Sequence, residues 1–88
     1  MGLEGLRQQL DGIDHKIVSL LAERVGIVHE VGTYKAQSGD PIQDPERESR
    51  ILASKRALAV ELGVDPQLVE DIYRRIFQNS YQIEESPK

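Results

Sequence analysis

The sequence lacks cysteine, a long apolar run and an excess of basic charge, and each absence excludes a class of protein. Without cysteine, neither disulfides nor thiolate zinc sites can form. No run of about 18 apolar residues is present, so the sequence predicts no membrane span. The N-terminus does not show the basic and then apolar layout of a signal peptide. These features fit a reducing compartment, and we expect a cytoplasmic protein.

The charge balance argues against a general nucleic-acid-binding protein. The 88 residues include 11 Lys and Arg against 15 Asp and Glu, which gives a net charge of −4. Phosphate contacts need clustered basic side chains, and here Arg74 and Arg75 are offset by Glu70 and Asp71 in the same segment. A three-helix DNA-binding module is therefore disfavoured.

Helical periodicity covers nearly the whole chain, and the sequence shows no strand pattern. Asp44 and Asp65 each precede a proline, which is typical of an N-cap followed by the first helical residue. We predict an all-α fold with three helices in a single domain of residues 1–88. The predicted helices span about 3–38, 45–62 and 66–84. The polar tail, residues 83–88, is expected to fray.

The first predicted helix carries an apolar seam that is longer than its own chain can cover. The seam residues recur at alternating spacings of three and four, as in a coiled coil. They are Leu3, Leu6, Leu10, Ile13, Ile17, Leu20, Ile27, Val31 and Tyr34. This helix would be about 50 Å long and the other two about half that length. Because a core this small is also marginal alone, we expect an intertwined homodimer of six helices, with the long helices antiparallel.

Charged and polar side chains interrupt the apolar stripes of all three helices. They are Arg24, Lys35, Arg47, Glu48, Ser80 and Glu84. Arg24 stands between two seam residues, and an unpaired buried charge costs on the order of several kcal/mol. Two interpretations stay open: Arg24 forms a buried ion pair with Glu48, or the seam opens into a polar cavity. Lys35 could instead lie along the surface with its ammonium in water, and Glu84 could be solvated.

A cavity with these residues would suit a small anion such as a dicarboxylate. It offers Arg24, Lys35 and Arg47 as cations, and a guanidinium matches a carboxylate with two hydrogen bonds. The sequence has no thiol, no Ser–His pairing and no paired-carboxylate metal motif, so we expect neither a cofactor nor a metal. Any catalysis would rest on positioning and electrostatics.

Three segments resemble the all-helical class of chorismate mutases. They are "LRQQLDGIDHKIVSLLAERVGIVHEVGTYK", "PIQDPERE" and the "SY" pair of the third helix. The stretches "PERESRILASKRALAVELGV" and "LVEDIYRRI" look especially like the mutase domain at the N-terminus of bifunctional chorismate mutase–prephenate dehydrogenases. The resemblance implies an intertwined homodimer with two equivalent active sites. It also implies the Claisen rearrangement of chorismate to prephenate, on the route to phenylalanine and tyrosine.

The resemblance implies substrate-binding roles for eight residues. They are Arg7, Arg24, Lys35, Asp44, Arg47, Glu48, Ser80 and Glu84. Arg24 and Arg7 would clamp the two substrate carboxylates, with Arg7 supplied by the partner chain. Geometry requires that second point independently, because the two arginines lie 17 residues apart. That separation is about 25 Å along one helix, too far for one small molecule to bridge.

The same resemblance implies how the other residues would meet the substrate. Lys35 would reach the ether oxygen and a nearby carboxylate. Glu48, helped by the region of Asp44, would bind the ring hydroxyl. Arg47 and Ser80 would complete the wall of the site. The first turn of the second helix would then be part of a binding site rather than part of the core.

Glu84 occupies a position where several family members carry glutamine and others carry glutamate. Glutamine can donate a hydrogen bond to the ether oxygen at any pH, whereas glutamate can do so only when protonated. An ionised Glu84 would repel the negative charge that grows on that oxygen. We therefore expect Lys35, Arg24 and Glu84 to be the catalytic residues, with activity falling as rising pH ionises Glu84.

Two other functions stay open. Isochorismate–pyruvate lyases share the fold, the arginines and the lysine, but they typically lack an acidic residue directly after the arginine of "PER". Glu48 therefore favours the mutase. The alternative from another class is a non-catalytic helical dimer with a regulatory or assembly role, in which the polar residues would satisfy one another.

Overall fold

The computed structural model describes residues 2–86 and is all-helical over that range. The helices are α1 (Leu3–Ser38), α2 (Pro45–Leu62) and α3 (Pro66–Glu85). The all-α prediction is confirmed, and no strand occurs in the described residues. The expected fraying of the tail is wrong for residues 83–85, which belong to α3. Pro87 and Lys88 lie outside the described residues.

Local chemistry explains where α2 and α3 begin. The Asp44 carboxylate accepts a hydrogen bond of 3.1 Å from the Arg47 amide, and Asp65 accepts one of 2.9 Å from the Gln67 amide. Each cap satisfies an amide that has no partner within its helix, and a proline follows each cap. The turn between α1 and α2 begins at Gly39, whose φ of 79° favours a residue without a Cβ.

α3 is the middle helix, because it packs against both α1 and α2. The buried apolar residues come from all three helices. They are Val28, Leu52, Ala59 and Phe77. Gly32 of α1 is also buried, and a Cβ added there would lie 3.0 Å from the Cα of Glu84. Glycine therefore allows α1 and α3 to approach closely at this level.

The face of α1 that contacts α3 is rotated from the predicted seam. Val28 and Gly32 are buried, whereas the seam residues Ile27 and Tyr34 are 60% and 64% exposed. The close approach of α3 at Gly32 explains this orientation better than packing through the seam does. The larger side chains of the seam would hold the two backbones further apart. The seam thus faces away from α3 or borders the cleft described below.

The chain is flat and extended, with principal extents of 55 × 27 × 14 Å. Its radius of gyration is 16.2 Å, whereas a compact domain of this length would have about 12 Å. Residues 3–20, here called the N-terminal arm, have no buried residue. The six seam residues of this arm are each 49–63% exposed. No described helix is both long enough and apolar enough to cross a membrane.

Candidate active site

A cleft opens where the C-terminal half of α1, the first turn of α2 and the last turns of α3 meet. Its volume is about 280 Å³. Seven of the eight predicted site residues line it: Arg24, Lys35, Asp44, Arg47, Glu48, Ser80 and Glu84. Arg7 lies elsewhere, exposed on the N-terminal arm. The fold therefore gathers the predicted polar residues around one cleft, and their roles toward a substrate stay predictions.

One face of α3 supplies four of the lining side chains. Phe77, Ser80, Tyr81 and Glu84 follow the three-and-four spacing that places residues on one side of a helix. Ser80 and Glu84 are each only 7% exposed. Polar groups are seldom buried so deeply unless they have hydrogen-bond partners, and both have partners on α1.

Arg24 contacts a hydroxyl rather than a carboxylate. Its Nη1 donates a hydrogen bond of 2.8 Å to Oγ of Ser80. In the described part of the chain Arg24 forms no ion pair, so the suggested buried pair with Glu48 is wrong. The alternative, a seam that opens into a polar cavity, is confirmed. Because Ser80 is neutral, the charge of Arg24 is left for an anion in the cleft.

Lys35 connects α1 to α3 and to the α1–α2 loop. Its Nζ donates a hydrogen bond of 2.6 Å to Oε1 of Glu84 on α3 and one of 2.8 Å to the carbonyl oxygen of Ile42 in the α1–α2 loop. The side chains of the ion pair are 20% and 6% exposed, for Lys35 and Glu84 respectively. The ammonium therefore points into the cleft and not toward bulk water, and Glu84 is not a solvated tail residue.

Tyr81 is a lining residue that the sequence interpretation did not place in the site. Its hydroxyl donates a hydrogen bond of 2.6 Å to Oε2 of Glu48, across the gap from α3 to α2. Burial raises the pKa of Tyr81 to about 12, and the bond to Glu48 adds to this, while the Asp44 amide partly offsets it. Tyr81 is one residue after Ser80 and three before Glu84, so helical spacing alone could have identified it.

Asp44 and Arg47 lie at the entrance to the cleft. The carboxylate of Asp44 caps α2, which fixes the first turn from which Arg47 and Glu48 extend. Arg47 is exposed although it borders the cleft, so its guanidinium is accessible to a ligand. The cap thus fixes the helical turn that carries these two charged side chains at the cleft.

Comparisons with known proteins agree with this arrangement. Residues 6–85 match the sequence profile of the family described as chorismate mutase type II. The chain is 43% identical over 76 residues to the chorismate mutase of Methanocaldococcus jannaschii, covering 86% of this chain and 73% of that protein. It is 48% identical over 82 residues to the T-protein of Enterobacter agglomerans, covering 93% of this chain.

Some of these relatives are much longer proteins. The chain spans 22% of the length of the T-protein from Enterobacter agglomerans and 21% of the one from Haemophilus influenzae. It is also 31% identical over 78 residues to the bifunctional chorismate mutase/prephenate dehydratase of Escherichia coli K12, covering 89% of this chain and 20% of that protein. With a profile match over nearly its whole length, the chain belongs to the chorismate mutase type II family.

Proposed function

We propose that this chain catalyses the rearrangement of chorismate to prephenate as a homodimer with two equivalent clefts. The observation that carries the proposal is the cleft itself, in which Arg24 and Lys35 face one enclosed space beside a buried Glu84. The relatives named as chorismate mutases support the choice of substrate. We expect the reaction to take place in the cytoplasm.

The charges of the cleft support a site that a second chain completes. Its lining includes three cationic side chains and three carboxyl groups. Chorismate carries two carboxylates, so the cleft of one chain has little excess positive charge for it, and a further cation would strengthen binding. Arg7 is the residue that the family resemblance suggests for this purpose, and within its own chain it lies about 25 Å from Arg24 along α1. Arg7 of the partner subunit would supply the missing charge.

The N-terminal arm supports a dimer of this kind. Its apolar seam is exposed in the single chain, which is flat and has few buried side chains. A second copy with an antiparallel α1 would cover the seam and would carry its own Arg7 toward the cleft. The same contact would therefore bury apolar surface and complete the binding site.

The reaction needs no nucleophile, because one bond forms and one breaks within the same molecule. The protein must hold the folded reactive conformer and stabilise negative charge on the ether oxygen as the C–O bond breaks. Arg24 and the partner's Arg7 would bind the two carboxylates, with Ser80 orienting Arg24 as it does in the structure. Lys35 would donate to the ether oxygen.

Two carboxyl groups would complete the interactions. Glu48 would accept a hydrogen bond from the ring hydroxyl, while Asp44 keeps the first turn of α2 in place. Glu84, when protonated, would give the ether oxygen a second donor beside Lys35. Arg47 would close the wall at the entrance. These roles use every polar group that the three helices direct toward the cleft apart from Tyr81.

The first experiment measures the loss of chorismate absorbance with the purified protein and with Arg24→Ala. We expect Arg24→Ala to lower kcat/KM by about 100-fold or more, since it removes a charged contact to the reacting molecule. Arg50→Ala is the matched control, because Arg50 is exposed on α2 outside the cleft. If the protein leaves chorismate unchanged but consumes isochorismate, the lyase is the correct assignment. If it acts on neither and Arg24→Ala only destabilises the dimer, the non-catalytic alternative is correct.

A second experiment tests whether Arg7 acts across the dimer. Arg7→Ala and Arg24→Ala chains are each expected to be nearly inactive. When equal amounts are unfolded together and refolded, half of the dimers should be mixed and each mixed dimer should contain one intact site. Activity should therefore recover to about a quarter of the wild-type level. No recovery would show that Arg7 and Arg24 do not meet across the interface.

A further inference from the structure

Tyr81 links the two helices that form opposite walls of the cleft. Its hydroxyl donates to Oε2 of Glu48 at 2.6 Å, so a side chain from the last turns of α3 holds one from the first turn of α2. Both residues are half-buried and line the cleft. This contact is separate from the bonds that Arg24 and Lys35 make with α3.

We propose that Tyr81 is a positioning residue that fixes the Glu48 carboxylate for the ring hydroxyl of the substrate. The assignment rests on the proposed mutase function. A carboxylate can accept hydrogen bonds at both oxygens. Tyr81 engages Oε2, which leaves the lone pairs of Oε1 for a donor inside the cleft. Tyr81 thereby determines which oxygen meets the substrate, without contacting the reacting bonds itself.

The physical benefit is preorganisation. A glutamate side chain has several rotatable bonds, and ordering it on binding has a cost in conformational entropy. A tyrosine has only two side-chain torsions, and Tyr81 is half-buried in the lining of the cleft. A hydrogen bond from a rigid donor orders Glu48 before the substrate arrives, so the substrate hydroxyl meets an acceptor already in place.

The titration of Tyr81 is consistent with this role. Its pKa is raised to about 12, chiefly by burial and also by the bond to Glu48. The phenol therefore stays protonated throughout the neutral range and remains a donor there. A residue that ionised near neutral pH would repel Glu48 instead of holding it.

The test compares two substrates that differ only at the ring hydroxyl. One is chorismate, and the other is its methyl ether at that position, which has no proton to give to Glu48. For Tyr81→Phe we expect kcat/KM with chorismate to fall about tenfold, and kcat/KM with the ether to stay within about twofold of wild type. The preference for chorismate over the ether should thus shrink about tenfold.

Tyr73→Phe is the matched control. Tyr73 lies on α3, where its ring is 6.1 Å from that of Phe77, and it does not line the cleft. Removing its hydroxyl should leave kcat/KM for both substrates unchanged. Glu48→Ala, which leaves no acceptor at this position, serves as a second variant: in that background, adding Tyr81→Phe should cost little further activity toward chorismate, because the two residues act as one unit.

The possible outcomes distinguish a failure of the positioning role of Tyr81 from a failure of the proposed mutase function. Equal losses on both substrates would show that Tyr81 only maintains the fold, and the positioning role would be wrong. A Tyr81→Phe enzyme as selective as wild type would also overturn it, while leaving the mutase function intact. If the wild-type protein does not convert chorismate at all, the proposed function fails first and the role of Tyr81 fails with it.

Discussion

The two halves of α1 have the same kind of sequence but very different surroundings. The apolar seam runs through both with the same spacing. In the C-terminal half, Val28 and Gly32 are buried against α3, and Arg24 and Lys35 reach across to it. In the N-terminal arm no residue is buried within the chain.

This difference shows that a regular apolar pattern predicts a helix face that will be buried, but not which helix or chain will bury it. Burying a leucine or isoleucine contributes about 1.5–3 kcal/mol, so six exposed seam residues represent a large free energy left unused by the single chain. In the C-terminal half, the face that carries Val28 and Gly32 is covered within the chain because Gly32 lets α3 approach, while the seam residues Ile27 and Tyr34 stay exposed. The arm needs a partner, and a second copy would supply one.

The largest expected effect comes from placing a charge in the seam of the arm. Ile17→Glu should dissociate the proposed dimer at micromolar concentration and lower activity by about 100-fold or more, because a carboxylate would be buried without a partner. Sedimentation velocity and the chorismate assay would measure both effects. Val18→Glu is the control, since Val18 is the next residue, lies off the seam and is 66% exposed. If Ile17→Glu behaves as wild type, the arm is not covered by another copy.

A smaller effect is expected at the close contact in the packed half. Gly32→Ala would place a Cβ 3.0 Å from the Cα of Glu84, so the α1 and α3 backbones must move apart. We expect a loss of about 1–3 kcal/mol in the free energy of unfolding, measured with urea, and reduced activity as Glu84 shifts.

Gly26→Ala is the control for that substitution. A Cβ at Gly26 meets no atom of the chain within 4 Å. Alanine should therefore raise the free energy of unfolding by about 0.5–1 kcal/mol through its better helix propensity. If both variants are stabilised, the close approach at Gly32 is not what holds the two helices together.

A difference in pH dependence is expected between wild type and Glu84→Gln. An amide at this position can donate a hydrogen bond to the ether oxygen at any pH, so Glu84→Gln should be more active than wild type in alkaline solution. pH–rate profiles of both proteins measure this difference. Glu85→Gln is the control, because Glu85 is the exposed next residue. If Glu84→Gln is no more active than wild type in alkaline solution, Glu84 is not the donor to the ether oxygen.

The smallest effect concerns stability in alkali. The pKa of Tyr81 is raised from 10.0 to about 12, so folding favours the neutral phenol. The resulting stabilisation is present below about pH 10 and is lost as the pH rises from about 10 to 12. Because Tyr81 is partly exposed, solvent screening should keep the effect small. The free energy of unfolding of wild type should fall more over this interval than that of Tyr81→Phe, and an equal fall would contradict the assigned pKa.

Much of the fold could be predicted from local sequence features. The caps at Asp44 and Asp65 act over three residues or fewer, so the starts of α2 and α3 follow directly from the sequence. The polar residues of the cleft were recognisable because they break an apolar period. Tyr81 was missed because an amphipathic tyrosine does not break that period, although its spacing of four from Phe77 and three from Glu84 places it on the same face.

The partners of the charged residues could not be predicted in the same way. A pattern shows which side chains share a face, but the choice between acceptors depends on distances of a few ångströms between helices. The sequence left a pair of Arg24 with Glu48 open as one of two interpretations, whereas the structure pairs Arg24 with Ser80 and Lys35 with Glu84. The sequence also did not predict that Val28, rather than the seam, faces α3. That orientation depends on a close contact between helices, which an apolar period does not show.

The sequence by itself determined the three helices, the residues at which α2 and α3 begin, and the set of polar residues that do not belong in a core. All of these follow from local hydrogen bonds and helical spacing. Only the tertiary structure decided that these residues share one cleft, which acceptor each donor meets, and that the N-terminal arm stays uncovered within its own chain. These features depend on how closely separate helices approach, and that distance is set by residues far apart in the sequence, such as Gly32 and Glu84.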